Sequence, residues 1–307
     1  MIKEAKMVCD NEVITGVGRA CGTFGEFLQG ILPDNQEFLV TFPINRFSTC
    51  YFNSSPSAQE LEVFPPHKKK TRQLAINILS YFNLPTGGRL EIDSELVEGK
   101  GLASSTADMV AAIRAIEDCY PIKIPIYLLE EMMRRIEPSD GIMYEGVVSY
   151  YHREVKIRGN FGSCPPLTVL AIDEGGVVDT IEFNHQIKPF DQKEKVEYER
   201  LLQQAEGAIV VGDVNLLGQV ATRSTEMNQK VRPKLLIDKM KRINQEIGGV
   251  GIVTAHSGTY IGVLLSDTDP NYIDKLKKGI EKFKSFGLSA EVFHSLPSTR
   301  EGGGWLW

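Results

Sequence analysis

The chain has 307 residues, 42% of them hydrophobic and 24% charged, with a formal net charge of −6. That length can bury one large core or two smaller ones. The acidic balance argues against a nucleic-acid-binding surface. No apolar run reaches membrane-span length, and Met1–Cys9 lacks a signal-peptide core. The five cysteines are scattered without CxxC spacing. Neither a disulfide framework nor a zinc site is suggested, and a cytoplasmic protein with reduced thiols is expected.

An apolar segment from Val13 to Ala20 leads into Cys21–Gly30, where glycines and one glutamate, Glu26, interrupt apolar residues. Residues 37–42 and 46–52 read as strands with Pro43 in a turn between them, and 60–64 as a third. Pro65-Pro66 closes this β-rich stretch. The basic cluster His67–Arg72 is read as the solvated start of a helix over 71–82 rather than as a phosphate-binding patch.

Residues 88–95 alternate apolar and polar as a strand does, and 109–116 have helical spacing. Between them lies Glu98-Gly99-Lys100-Gly101-Leu102-Ala103-Ser104-Ser105-Thr106-Ala107-Asp108. Such a junction leaves the first helical amides unpaired at the positive end of the helix dipole, where an anion is favoured. Gly99 and Gly101 let backbone approach a ligand closely. Two readings stand for the loop alone: a phosphate cradle, or a turn with a Ser or Thr N-cap. It fits neither the Walker pattern nor the dinucleotide fingerprint.

A helix is expected over 126–136, with Glu130 and Glu131 near its middle. Pro138 and Gly141 stop it sharply at Glu137–Gly141. Strands follow at 147–151, 155–158 and 167–173. The chain then changes character, with helices at 190–206, 214–227 and 235–246. Two apolar strands flank a small-residue turn within 250–265, followed by a helix at 272–286 and a strand at 290–294. This order reads as an α+β layered sandwich. Two domains are expected, 1–170 and 171–307, with no internal repeat of fixed period.

The strand–GKGLASSTA–helix unit resembles the second motif of the GHMP kinases, with Ala103 in place of a central glycine and Thr106 in place of an alanine. Cys21–Gly30, Pro43–Thr49 and the turn Ala255-His256-Ser257-Gly258-Thr259 resemble segments of the PduX-type L-threonine kinases within that superfamily. The resemblance covers nearly the whole chain. It implies an α+β GHMP fold, with an N-terminal domain like ribosomal protein S5 and a ferredoxin-like C-terminal domain.

The resemblance also implies ATP and Mg²⁺ as cofactors and a small-molecule hydroxyl, that of an amino acid, as acceptor. Residues Gly99, Lys100, Gly101, Leu102, Ala103, Ser104, Ser105 and Thr106 would hold the triphosphate. Ser105 and a glutamate of the next helix, Glu130 with Glu131 as its rival, would hold Mg²⁺. Asp140 would orient or deprotonate the acceptor hydroxyl; alone, it also suits a helix-stop turn. Glu26 reads either as the partner of a substrate ammonium or as a structural carboxylate paired with Arg19 or Arg46. Ser257, Gly258 and Thr259 are candidates for substrate contact, and His256 for turn packing. The implied reaction converts L-threonine to O-phospho-L-threonine, which in that group feeds the aminopropanol linker of cobalamin. Serine, homoserine or an isoprenoid alcohol is the alternative acceptor, and a nucleotide-binding sensor the non-catalytic one. A homodimer is allowed for, without nucleic-acid or membrane partners.

Overall fold

A computed structural model describes residues 14–55, 57–176 and 188–297. The N-terminus through Val13 and the Gly-Trp-rich tail, Gly302–Trp307, lie outside the described residues. Two strands dominate the first half: β1, Ile14–Ile31, and β2, Glu37–Ser54. They pair antiparallel along their length, from Ile14 opposite Ser54 to Ile31 opposite Glu37. β3 (Leu61–Phe64), β4 (Gly88–Ser94), β5 (Val147–Tyr151) and β6 (Lys156–Gly162) complete a six-stranded sheet, ordered β3-β4-β2-β5-β6 with β1 also on β2.

The expected turn at Pro43 is not there, because β2 continues through it. Pro43 has no N–H to give a ladder, but it lies opposite Thr23, where the register with β1 shifts. Bulges of this kind are where a strand tolerates proline. Its carbonyl is used instead, accepting the Leu296 amide at 3.0 Å.

Helix α1 (Lys69–Tyr81) precedes β4, and α2 (Ser104–Cys119) follows the loop. α2 is buried along most of its length because it lies directly on β1. Ala111 and Ala115 make that approach possible from the helix, and Gly18 from the strand: a Cβ on Gly18 would sit 2.1 Å from the Ala111 carbonyl oxygen. α3 (Ile126–Arg134) stops short of the expected 126–136, and the chain leaves it before Pro138.

The second sheet is four-stranded, in the order β10-β7-β9-β8, from β7 (Leu167–Asp173), β8 (Gly251–Thr254), β9 (Tyr260–Ser266) and β10 (Glu291–His294). Its helices are α4 (Gln192–Val211), α5 (Val214–Asn228), α6 (Ile237–Ile247) and α7 (Tyr272–Ser285). α4 begins at Asp191 and Glu194, which form a reciprocal capping box. The architecture is mixed α+β, as expected.

One hydrophobic core joins the halves. Phe27 stacks on Phe42 with centroids 4.1 Å apart, while Phe24 reaches Tyr260 of β9 at 5.8 Å and Phe293 of β10 at 5.2 Å. A smaller core of Ile172, Met240, Ile243, Ile261 and Phe283 fills the far side of the second sheet. Burying each such side chain is worth about 1.5–3 kcal/mol. This packing fixes β1 against β8 and β9, and so fixes the glycine loop against the Ala255–Thr259 turn. Cys21, Cys50, Cys119 and Cys164 are buried free thiols. Burial raises the pKa of each, that of Cys119 to about 11. Among the described residues, no helix is long and apolar enough to cross a membrane.

Candidate active site

The glycine loop is held from behind, through its carbonyls. Thr259 N donates to Lys100 O (3.2 Å), Gly25 N to Gly101 O (3.0 Å) and Thr23 N to Leu102 O (3.2 Å). In a trans peptide the next N–H points opposite to the carbonyl. The amides of Gly101, Leu102 and Ala103 therefore face away from β1 and the Ala255–Thr259 turn, toward open space. Gly101 and Ala103 have left-handed φ, 79° and 57°, and alternation of this kind builds an anion-binding nest. At Gly101 no side chain fits, because a Cβ would lie 2.7 Å from Ala255 Cβ. α2 starts at Ser104, and its first hydrogen bond runs from Ala107 N to Ala103 O at 2.9 Å. The amides of Ser104, Ser105 and Thr106 add the orphan donors of a helix start.

These donors border a cavity of about 520 Å³, within the ~300–1,000 Å³ usual for small-ligand sites. Gly99, Gly101 and the Leu102–Thr106 run line it, together with Glu26, Asp140 and Ser257. Lys100 does not: its ammonium turns away to Asp173 Oδ2 at 2.5 Å and the Gly176 carbonyl at 2.7 Å. That pair holds the Asp173 carboxyl below its ordinary pKa. Of the two readings open to the Lys100 side chain, phosphate contact or a solvated ammonium, neither is seen here: it pairs with Asp173, outside the cavity lining.

A second correction concerns the glutamate beside Ser105. The Ser105 hydroxyl donates to Glu137, whose other oxygen pairs with Lys70. Glu130 lies outside the cavity wall. Its Oε1 accepts from Tyr144 OH (2.9 Å), Tyr150 OH (3.1 Å) and Ile157 N (3.1 Å), as a buried structural carboxylate does. Glu131 is exposed and pairs with Arg135. The difference follows from α3 ending at Arg134: a turn at 135–136 follows it, and Glu137 then lies at the start of α2. Ser105 Oγ and the Glu137 carboxylate are the hard oxygen donors that Mg²⁺ takes, in the small number it needs alongside phosphate and water.

The basic cluster at the start of α1 is not a solvated helix start. Lys68, Lys69 and Lys70 all line the cavity. Lys68 bridges Glu98 at 2.6 Å and the fully buried Asp108, which also accepts from Ser48 Oγ at 2.6 Å. Burial alone would lower the Lys68 pKa, but its bonds to Asp108 and Glu98 prevail and raise it. One sequence signal pointed here. Asp108 stands in an otherwise apolar helical run, and a buried charge requires a partner.

Asp140 is half-buried in the cavity wall. Its amide donates to Thr106 Oγ1 at 3.3 Å, and that hydroxyl lies 3.5 Å from Asp140 Oδ2. Burial, then the like charges of Glu26 and Glu137, push its pKa up to about 7. A carboxylate tuned to that value exchanges a proton near neutral pH.

Glu26 pairs with neither Arg19 nor Arg46. Arg19 stacks over the Phe47 ring at 3.5 Å, and Arg46 bonds the Val292 carbonyl at 3.3 Å. Glu26 Oε2 instead meets His256 Nδ1 at 2.9 Å, and His256 Nε2 meets Ser224 Oγ at 2.7 Å. His256 is 1% exposed and packs in the turn, as expected. Within that turn only Ser257 lines the cavity. Gly258 and Thr259 lie behind the loop, where a Cβ on Gly258 would be 2.0 Å from Lys100 O. The Gly258 carbonyl accepts from Arg232 Nε at 2.8 Å and from the buried Lys234 Nζ at 2.6 Å. Burial lowers the Lys234 pKa to about 8. Sequence reasoning also missed Gln29 and His152, both of which line the cavity.

An anion cradle, a candidate metal pair and a carboxylate poised near pH 7 thus share one cavity, and comparison with known proteins gives the same family. Residues 69–145, which hold α1, the loop, α2 and Asp140, match the GHMP kinases N-terminal domain. The L-threonine kinase of Citrobacter freundii is 24% identical over 268 residues, covering 85% of this chain and 90% of that protein. That of Salmonella typhimurium (strain LT2) is 23% identical over 276 residues, covering 87% of each. The fold is shared with homoserine kinase from Cytophaga hutchinsonii (TM-score 0.73, 14% identity, 95% of this chain and 98% of that one). It is shared too with Lactococcus lactis galactokinase in complex with galactose (TM-score 0.68, 12% identity, 94% of each chain). The chain thus contains a GHMP kinases N-terminal domain at residues 69–145, and the curated relatives it matches along most of its length are kinases that phosphorylate a hydroxyl group.

Proposed function

We propose that the protein transfers the γ-phosphoryl group of ATP to the side-chain hydroxyl of L-threonine, giving O-phospho-L-threonine and ADP. The resemblance extends this to a supply of phosphothreonine for the aminopropanol linker of cobalamin. The observation that carries the reaction is Asp140, tuned to about 7, in one cavity with the Gly99–Thr106 cradle. The observation that favours threonine is the match to L-threonine kinases along most of the chain.

The chain's own groups divide the work. Loop and helix amides hold the phosphates, and Lys70 and Lys68 add positive charge around them. Ser105 and Glu137 would hold Mg²⁺, which neutralises charge on the β- and γ-phosphates when bound. Asp140 accepts the proton of the acceptor hydroxyl as its oxygen bonds to Pγ and the bond from Pγ to the bridging oxygen breaks. Thr106 keeps Asp140 in place for this. Glu26, oriented by His256, offers its carboxylate to the ammonium of the acceptor.

A coupled ADP-release assay with MgATP tests the proposal. L-Threonine should stimulate turnover, and Asp140→Ala should abolish the stimulation while MgATP still binds. Stimulation by a lipid-like alcohol and by no amino acid would sink the threonine assignment.

A further inference from the structure

Part of the cavity wall comes from sheet strands rather than from the loop. β1 supplies Glu26 and Gln29, β2 supplies Leu39, and His152 follows directly on β5. Sheet register aligns them, with Gln29 opposite Leu39 and Leu39 opposite Tyr150. The His152 carbonyl accepts the Ser139 amide at 3.0 Å, which places this wall beside Asp140.

Two side chains here have buried polar atoms without a protein partner. They are Gln29 Oε1 and both ring nitrogens of His152, a residue only 4% exposed. Such atoms cost about 1–3 kcal/mol each when left unpaired. On a cavity wall they point to a ligand that pairs them. His152 Nε2 lies 3.6 Å from Glu37 Oε2, outside hydrogen-bond range, and Glu37 is itself held by Arg153 at 2.8 Å. An imidazole carries an N–H on at least one ring nitrogen, so His152 can donate from Nδ1. The wall therefore offers acceptors for a cation on β1 and a donor for an anion after β5, with Asp140 lining the same cavity.

Resting on the amino-acid kinase function proposed above, we infer that Gln29 and His152 select the zwitterionic head of the acceptor. Glu26 and Gln29 Oε1 take the α-ammonium, and His152 takes the α-carboxylate. Leu39 packs against the apolar part of the side chain, and the hydroxyl reaches Asp140.

The test compares L-threonine with two acceptors that each lack half of the head. 1-Amino-2-propanol keeps amine and hydroxyl, and 3-hydroxybutyrate keeps carboxylate and hydroxyl. A site that pairs buried polar groups rejects analogues lacking them, so the wild type should favour threonine in kcat/KM by on the order of 100-fold or more over each. His152→Leu should reduce the preference over 1-amino-2-propanol at least about 10-fold, with the KM for MgATP unchanged, and His152→Gln, which keeps a donor, should restore part of it. Gln29→Leu should reduce the preference over 3-hydroxybutyrate instead. If His152→Leu does not fold, His152→Gln and Gln29→Leu carry the test. Folded variants with the wild-type preference ratios would overturn the inference. A wild type inert toward threonine but active on a hydroxyl compound with no amino-acid head would overturn the function beneath it.

Discussion

Thr106 bonds Asp140 twice. Its hydroxyl oxygen accepts the Asp140 amide at 3.3 Å and lies 3.5 Å from Asp140 Oδ2, toward which it donates. The first turn of α2 is thereby tied directly to the carboxylate that lines the same cavity. Thr106→Val keeps the shape and removes both bonds. The hydroxyl helps to lower the Asp140 pKa against burial, so its loss should shift the acidic limb of the pH–rate profile upward. Thr106→Val should also lower kcat by about 10-fold, with a stability loss of about 1 kcal/mol. Steady-state profiles and urea melts measure the two effects separately.

Asp140 itself sets the pH dependence. Its pKa stands near 7 in the folded protein against an ordinary 3.8. In the free enzyme kcat/KM should therefore rise with pH and level off above about 7. A raised carboxylate pKa means that the native state holds more protons than the unfolded one, so this group's contribution to stability falls as pH rises from 3.8 to about 7. Asp140→Asn should lose the activity limb and melt higher than the wild type at pH 8, a gap that narrows toward pH 5. A wild-type profile flat between pH 5 and 8 would remove Asp140 from the proton-transfer role.

The two buried glutamates should separate cleanly. Glu137→Gln should raise the Mg²⁺ concentration needed for half-maximal rate by about 10-fold or more and barely change the melting temperature. Glu130→Gln should leave Mg²⁺ dependence unchanged and cost about 1–3 kcal/mol, because Tyr144, Tyr150 and the Ile157 amide lose a charged acceptor. Mg²⁺ titration of initial rates with parallel thermal melts reads both. The reverse pattern would restore Glu130 to the metal.

Lys68→Met leaves Asp108 charged and fully buried. Removing one partner of such a pair costs about 3–5 kcal/mol. The combined variant Lys68→Met, Asp108→Leu should recover part of that loss, since no charge is then stranded. A double-mutant cycle in urea gives the coupling, and additivity of the two losses would contradict the pairing.

The parts legible in the sequence are those governed by local rules. The strand–loop–helix unit, the glycines that need positive φ, the proline stop before Asp140 and the small-residue turn at Ala255–Thr259 each depend on neighbours within a few residues. The rest depended on where distant segments meet. Glu137 replaces Glu130 at Ser105 because α3 ends three residues earlier than Glu137, at Arg134, and a turn follows it. The Glu26 partner, His256, lies 230 residues away. Lys68, Lys69 and Lys70 resemble an exposed run until α2 brings Asp108 against Lys68 and the segment after α3 brings Glu137 against Lys70. Pro43 reads as a break by propensity, yet a bulge in β1 carries it through the sheet.

The most direct measurement is a competition. The full-length protein receives MgATP with equal amounts of L-threonine, L-serine, L-homoserine and mevalonate, and phosphorus NMR with mass spectrometry identifies the products. O-Phospho-L-threonine should dominate, and Asp140→Ala should form none above background. A phosphorylated product from another acceptor, with threonine untouched, would contradict the assignment.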